Sequence, residues 1–362
     1  MTLGHLYDSA YIKHIPSSFT PSQLETYLKR IEFPTARHEI QPDLATLQTL
    51  MVLHTVAFPC DNTDMHYTQQ HHMPVTPQEL FDRLVVGSKG SYCFGFNGLF
   101  LGMLRGLGYR AFAAPGRVLI PTSDSDEEKI YTQLSHLVLL VQPHDAPHDR
   151  VTYLVDVGFG GTSPLRPILL ADGSSDKPQV TNGGSGFAGG WVWGSYPPER
   201  HRVVPGAFAY SSLETEAGSG ITPQRDWHLQ VSHAAGTYDW KTLYTFTDKV
   251  EFLQRDIDAA SLSVTTLPGT IFYQTIVCVR RFPVDLDPQY MSEEEVDGLA
   301  WIGKWTLDGK KATKRVGASV LEERTVDSER ERLEVLRDVF RIDVLAEDAR
   351  WIVGRVPELP VS

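Results

Sequence analysis

Residues 96–107 constrain the fold more than any other stretch. Phe96, Leu99, Phe100, Met103, Leu104 and Leu107 recur at i, i+3, i+4, i+7, i+8 and i+11, which predicts one buried face of an α-helix. Gly106 and Gly108 stop it. Beyond Gly108 the period changes: "YRAFAAPGRVLI", "HLVLLVQ" and "VTYLVDVGF" are β-rich segments separated by turn residues. A helical first part therefore gives way to a strand-rich second part, and the 362 residues suffice for a large core and more than one domain.

Upstream, "TPSQLETYLKRI" has Thr20 as N-cap, Pro21 at the first helical position, and Leu24, Tyr27, Leu28 and Ile31 on one face. "DLATLQTLMVLHTVAF" repeats the pattern with Leu44, Leu47, Leu50 and Leu53. "TPQELFDRLVVG" reads as a third helix, capped by Thr76 and Pro77 and ended by Gly87. Downstream, 172–225 is rich in Gly, Ser and Pro and reads as a long loop or insertion with short strands such as "GGWVWGSY". "DWHLQVS" and "WKTLYTF" read as strands, "TIFYQTIVCVRRF" as a long strand, and "SERERLEVLRDVFRI" as an amphipathic helix.

The formal net charge of −12 argues against a nucleic-acid partner, which needs a basic face, but leaves room for a polyanionic small molecule on a local patch. Three cysteines, Cys60, Cys93 and Cys278, make a poor disulfide framework and suit a reducing compartment. The N-terminus lacks the apolar run of a signal peptide and no stretch reaches transmembrane length, so a cytoplasmic location is expected and no membrane partner. His66, His71 and His72 read as a solvated loop, since no fourth ligand is spaced to complete a metal site; no metal is expected.

Cys93 lies in "GSKGSYCFGFNGLF", at the N-terminal end of the striped helix. A thiol nucleophile needs a base to take its proton, a carboxylate to orient that base, and gains from the positive end of a helix. A hairpin of 136–142 with 151–157 centred on Ala146 places His136 opposite Asp156, about 5 Å apart at Cβ, with Leu137 facing Val155 and Leu139 facing Tyr153. Asp156 is a charge in an otherwise apolar strand and wants a partner. Cys60 and Cys278 have no such company and read as core filling.

These residues resemble the arylamine N-acetyltransferase family: "KGSYCFGFNGLF…LRGLGY" followed by "LSHLVLLV" and "YLVDVGFGG", with "YLKRI", "FPCDN", "FDRLV", "KPQV", "LYTF" and "TTLPGTIF" in the expected order. The length and insertions resemble fungal members. The resemblance implies an α+β fold in three parts: a helical N-terminal domain (1–108) with the nucleophile, a β-barrel middle domain (109–225) with His and Asp plus the Gly-rich insertion, and an α/β lid (226–362). It implies a Cys93, His136, Asp156 triad and ping-pong acyl transfer from a coenzyme A thioester to an arylamine or arylhydrazine, as in xenobiotic metabolism. It implies coenzyme A contacts at Thr132, Gln133, Thr265, Thr266 and Thr270, and an acceptor pocket at Phe159 and Val118.

The sequence departs from the family pattern at Lys89-Gly90-Ser91, where members carry Arg-Gly-Gly, and at Gly95, where Glu or Gln is usual. Extra length falls in 172–225 and 285–325. Asn97, one turn past Cys93, either bonds near the site or supports the loop. Three alternatives remain open at this stage. The same chemistry can use a malonyl or propionyl donor, with Arg117 or Lys89 as the cation for a malonyl carboxylate. A cysteine hydrolase or amidase would release free acid. A non-catalytic homologue would keep the fold alone.

Overall fold

The computed structural model describes residues 4–120, 129–143, 150–171, 175, 177–179, 190–213, 226–234, 239–287 and 300–360. Helix α1 (Pro21–Arg30) starts as expected: Thr20 and Gln23 form a reciprocal capping box, with Pro21 in the first turn. Helix α2 (Leu44–Ala57) is capped by Asp43 and buries Leu44, Leu47 and Leu50, while the face extends to Met51 and His54 and Leu53 is only partly buried. Strand β1 (Cys60–Asp61) and the one-turn helix α3 (Asp64–Tyr67) follow. His66, expected on a solvated loop, is instead fully buried in α3 and bonded to the Phe272 carbonyl at 2.9 Å. The third expected helix begins as α4 (Pro77–Leu80) and continues in a wider π turn, Phe81–Val86, before Gly87. Helix α5 (Cys93–Gly106) carries the striped face, fully buried from Phe96 to Leu104 on that face.

After α5 the chain enters an antiparallel sheet that curls into a near-closed barrel: β2 (Arg110–Val118), β3 (His136–Gln142), β4 (Tyr153–Val155), β5 (Ile168–Leu169), β6 (Val192–Trp193), β7 (Arg200–Gly206), β8 (Asp226–Ser232) and β9 (Lys241–Phe246). Their order is β5-β4-β3-β2-β9-β8-β7-β6. The expected boundary at 225 cuts this sheet, because β8 and β9 pair within it. Helices α6 (Gln254–Thr266) and α7 (Ile271–Gln274) come next. The expected strand across 270–282 therefore starts later: Thr270 caps α7, and the strand β10 is Val277–Val284. It joins β11 (Trp301–Asp308), β12 (Lys311–Val316) and β13 (Ser319–Thr325) in a second antiparallel sheet whose far edge is β1. Helix α8 (Glu329–Val335) is capped by Ser328 and runs into a π turn, Leu336–Phe340.

Strand β3 shows why the sheet and α5 belong together. Every residue of it is buried, because both of its faces are covered. Leu137, Leu139 and Val141 pack with Leu99, Phe100 and Met103 in the helical core. Val138 and Leu140, pointing the other way, pack with Trp227, Leu229 and Tyr244 inside the barrel. No helix among the described residues is long and apolar enough to cross a membrane.

Candidate active site

Cys93 is the first residue of α5, and its N-cap Tyr92 offers no side-chain bond to the helix start. The dipole and first-turn N–H groups are thus left facing the thiol. Its Sγ lies 3.7 Å from the carbonyl oxygen of Ser135, the residue before His136. Burial pushes the thiol well above its ordinary range and the Asp156 charge adds to this, while the N–H groups of Leu137 and Phe94 pull the other way.

The register of the hairpin differs from expectation. Leu139 faces Val155, Leu140 faces Leu154 and Val141 faces Tyr153, two residues from the predicted pairing. A slip of two leaves every side chain on its expected face. His136 lies opposite Gly116 on β2, and Asp156 follows the end of β4. Both point to the barrel side, and His136 Nε2 is 2.8 Å from Asp156 Oδ2.

Asp156 is completely buried and held by four donors. Asn97 Nδ2 donates to Oδ1 at 2.9 Å and the Gly158 N–H to the same oxygen at 2.8 Å. Tyr244 donates its hydroxyl to Oδ2 at 2.8 Å, beside His136. Burial raises the carboxyl, but the His136 imidazole and these hydrogen bonds outweigh it and hold Asp156 below the usual carboxylate range. With Asp156 an acceptor at Nε2, Nδ1 is the His136 nitrogen left to face a proton donor.

Asn97 also donates to Leu137 O at 2.7 Å and accepts from the Val157 N–H at 3.1 Å. It pins α5 to both strands, so it supports the arrangement instead of opening onto a ligand. Gly158 permits the same close approach: a Cβ there would lie 2.6 Å from Cys93 Cα and 2.8 Å from Asn97 Nδ2. Phe159 stands edge-on to His136 at 5.0 Å and to Tyr244 at 4.9 Å. Tyr244, absent from the sequence-based candidates, lay in "LYTF" with only its strand context to mark it.

The loop before Cys93 is held by Arg83, which is buried and donates from Nε to the Gly90 carbonyl, from one terminal nitrogen to Asp64 and from the other to Asp61 at 3.3 Å. Lys89 is exposed. Ser91 and Gly95 share one space: a Cβ on Gly95 would meet Ser91 Oγ at 1.9 Å and Leu80 Cδ2 at 2.9 Å. The Ser91 side chain thus fills the space that a side chain at 95 would need.

The expected coenzyme A contacts lie in two groups. Thr132 Oγ1 accepts from the Val118 N–H at 2.9 Å and meets Ser135 Oγ at 2.7 Å, and Arg117 reaches the Thr132 carbonyl at 3.4 Å. Gln133 donates to Ser263 Oγ at 3.1 Å, tying this segment to α6. Thr265 and Thr266 donate to the Leu262 carbonyl within α6, and Thr270 spends its hydroxyl on the Val264 carbonyl and the α7 cap. Thr265 is also buried. The hydroxyls of Thr265, Thr266 and Thr270 are therefore engaged in local structure. A cleft of about 470 Å³, lined in part by Phe19, Leu24, Arg37 and Arg105, lies at the other end of α5, about 20 Å from Cys93.

A family model described as N-acetyltransferase matches residues 43–187, from α2 to just past the strands that carry His136 and Asp156. The arylamine N-acetyltransferase of Mycobacterium bovis is 35% identical over 157 residues, 42% of this chain and 50% of that protein. Over nearly the whole length, N-malonyltransferase FDB2 of Gibberella moniliformis is 25% identical, covering 96% of this chain and 97% of its own. A solved arylamine N-acetyltransferase of Mycobacterium smegmatis superposes with a TM-score of 0.64 at 25% identity, over 93% of this chain and 98% of that one. Residues 43–187 thus match an N-acetyltransferase family model, and the chain as a whole resembles arylamine N-acetyltransferases in fold. The same fold appears in the Mycobacterium marinum arylamine N-acetyltransferase solved in complex with CoA, with a TM-score of 0.63 at 24% identity.

Proposed function

We propose that this chain is an arylamine N-acetyltransferase-like enzyme, an acyl-coenzyme A:arylamine N-acyltransferase working by ping-pong transfer through Cys93, with His136 as base and Asp156 as its orienting carboxylate. The observation that carries the reading is the 2.8 Å His136–Asp156 pair directly after the carbonyl that touches Cys93 Sγ. His136 Nδ1 takes the thiol proton as Cys93 attacks the thioester carbonyl. Asp156 stabilises the imidazolium that results. First-turn N–H groups of α5 stabilise the oxyanion. Coenzyme A leaves as the thiol, and the acyl group stays on Cys93. An arylamine, weakly basic and so uncharged at neutral pH, then attacks, and His136 Nδ1 accepts its proton. Phe159 against the His136 ring supports a flat aromatic acceptor there. On this reading Thr132 and Gln133 contact coenzyme A and Val118 lines the acceptor side with Phe159, whereas the hydroxyls of Thr265, Thr266 and Thr270, the other expected coenzyme A contacts, are engaged within α6 and at the α7 cap. Three cysteines, all unpaired, fit a reducing, cytoplasmic setting.

A second reading keeps the chemistry and changes the donor to a malonyl thioester, favoured by the full-length likeness to an N-malonyltransferase. Intact mass measurement after mixing with acetyl-, propionyl- or malonyl-coenzyme A, without acceptor, separates the possibilities. A single acyl adduct is expected, absent in Cys93→Ala and discharged by an added arylamine; the best donor names the acyl group. No adduct and no free coenzyme A from any donor overturns the proposal. Free coenzyme A with neither adduct nor acylated amine marks a hydrolase.

A further inference from the structure

Behind the turn that follows Phe159 lies a group of two buried cations and one part-buried cation with too little negative charge. Arg281 on β10 and Lys304 on β11 are cross-strand partners. Arg281 Nη2 donates to the carbonyls of Gly160 at 2.7 Å and Ser163 at 3.3 Å, and Lys304 Nζ to that of Gly161 at 2.6 Å. Arg166, 2% exposed, donates to three more carbonyls, those of Trp193, Gly194 and Ala300. The carboxylate among them, Glu199, is engaged by the N–H and hydroxyl of Ser195. Among the described residues, no carboxylate lies within 4.0 Å of any of the three cations. Burial, only partly offset by Glu199, pushes both guanidinium groups down to about 10. Unpaired charge is costly in such a place.

Polar atoms around this group are also left over. Arg281 Nη1, Ser163 Oγ and both ring nitrogens of His201 are buried and have no hydrogen-bond partner. Such groups are rare in native proteins and each needs a reason. His201 on β7 pairs with Val192 on β6, next to Trp193 and Gly194, whose carbonyls hold Arg166. The free atoms are mostly N–H and O–H donors beside surplus positive charge, and a carboxylate, all acceptor, complements that set. The cluster is fixed to the turn 160–163, which begins one residue after the ring that touches His136.

We infer that Arg281, Lys304, Ser163 and His201 form a carboxylate-binding site that holds the acid group of one of the two substrates beside the acyl-transfer centre. This rests on the acyltransferase reading. The acid has two sources: the free end of a malonyl-type donor, or an acid substituent on the acceptor, as in an aminobenzoate. Arg117, engaged with Thr132 and lying 5.6 Å from the Phe208 ring, and exposed Lys89 are less suited to the role.

The test uses the whole chain and the part-buried Lys304, whose change to Met keeps the methylenes, with Arg281→Lys and Arg281→Gln beside it. One arm compares malonyl- with acetyl-coenzyme A on 4-methylaniline; the other compares 4-aminobenzoate with 4-methylaniline under acetyl-coenzyme A. Lys304→Met is expected to lower the ratio of kcat/KM for acid-bearing over uncharged substrate by about tenfold in one arm, mainly through KM, and that arm identifies the source. Arg281→Lys retains more of the ratio than Arg281→Gln. Independently of turnover, malonate or benzoate at constant ionic strength raises the melting midpoint of the unaltered protein and not of Lys304→Met. Ratios unchanged in both arms, together with no midpoint shift by either anion, overturn the site. If the unaltered protein forms no acyl adduct, the acyltransferase reading fails, and the anion shift still decides whether the site exists.

Discussion

Asp156 takes one hydrogen bond from each of four distant parts of the chain: the helix residue Asn97, the strand residue His136, the turn at Gly158 and the late strand residue Tyr244. Removing one donor leaves the carboxylate buried and less well satisfied. Tyr244→Phe is expected to raise the Asp156 carboxyl toward its ordinary range and to lower kcat/KM by roughly ten- to a hundredfold, since a hydrogen bond to a charged group contributes about 1.5–3 kcal/mol. Acyl-transfer rates against pH check it; an unchanged profile would remove Tyr244 from the site. Cys93, His136 and Asp156 could be singled out in the sequence because each is chemically odd in its surroundings: a thiol at a helix start, an imidazole and a carboxylate at the ends of apolar strands. Tyr244 carries no such mark. Tyrosine is common in strands, and only the order of the sheet, which seats β9 on the far side of β2 from β3, lets its hydroxyl meet Asp156. Arg281 and Lys304 escaped for the same reason, as their neighbours come from other segments.

At the level of single elements, α5 carries Gly95 and Gly98 in its first two turns and still forms, because tertiary packing decides. Glycine inside a helix costs about 1 kcal/mol relative to alanine. Gly95→Ala nonetheless is expected to destabilise by about 1–3 kcal/mol, since the new methyl would collide with Ser91 and Leu80. Ser91→Gly with Gly95→Ala is expected to recover most of that loss, which urea unfolding of the two single variants and the double variant measures. Additive effects would show that the two positions do not share a space. Helix starts were readable wherever a cap residue stood before an apolar stripe, as at Thr20. The β3–β4 register was not, because the residues between the strands do not fix where the ladder begins, and the alternation pattern is the same after a slip of two. The turn at 271–274 was taken as strand for its aromatic and β-branched residues; the Thr270 cap wins locally.

Over the whole molecule, acid sensitivity follows from three histidines buried in three places. Burial pushes His54 down to about 3, His66 to about 4 and His201 to about 4. In the unfolded chain each titrates near 6.5. Between those values the unfolded state binds more protons than the native one, so stability is present above about pH 6.5 and is lost as pH falls toward the folded values. The slope reaches at most about 4 kcal/mol per pH unit for the three together. Asp156, depressed in the fold, adds a loss at lower pH, below the ordinary carboxylate value near 3.9. Urea midpoints at pH 7, 6 and 5 should fall progressively; a constant midpoint would contradict the buried, neutral state of these rings.

The wide spacing of the groups that hold Asp156 also sets an order in time. Cys93 leaves the ribosome early, while Tyr244 follows on the order of ten to thirty seconds later at ordinary synthesis rates. Until β9 is made, the sheet lacks the strand that places Tyr244 beside Asp156. On the acyltransferase reading, a nascent chain therefore carries its thiol before the groups that would arm it are complete, and the proposed site is assembled only once β9 has followed.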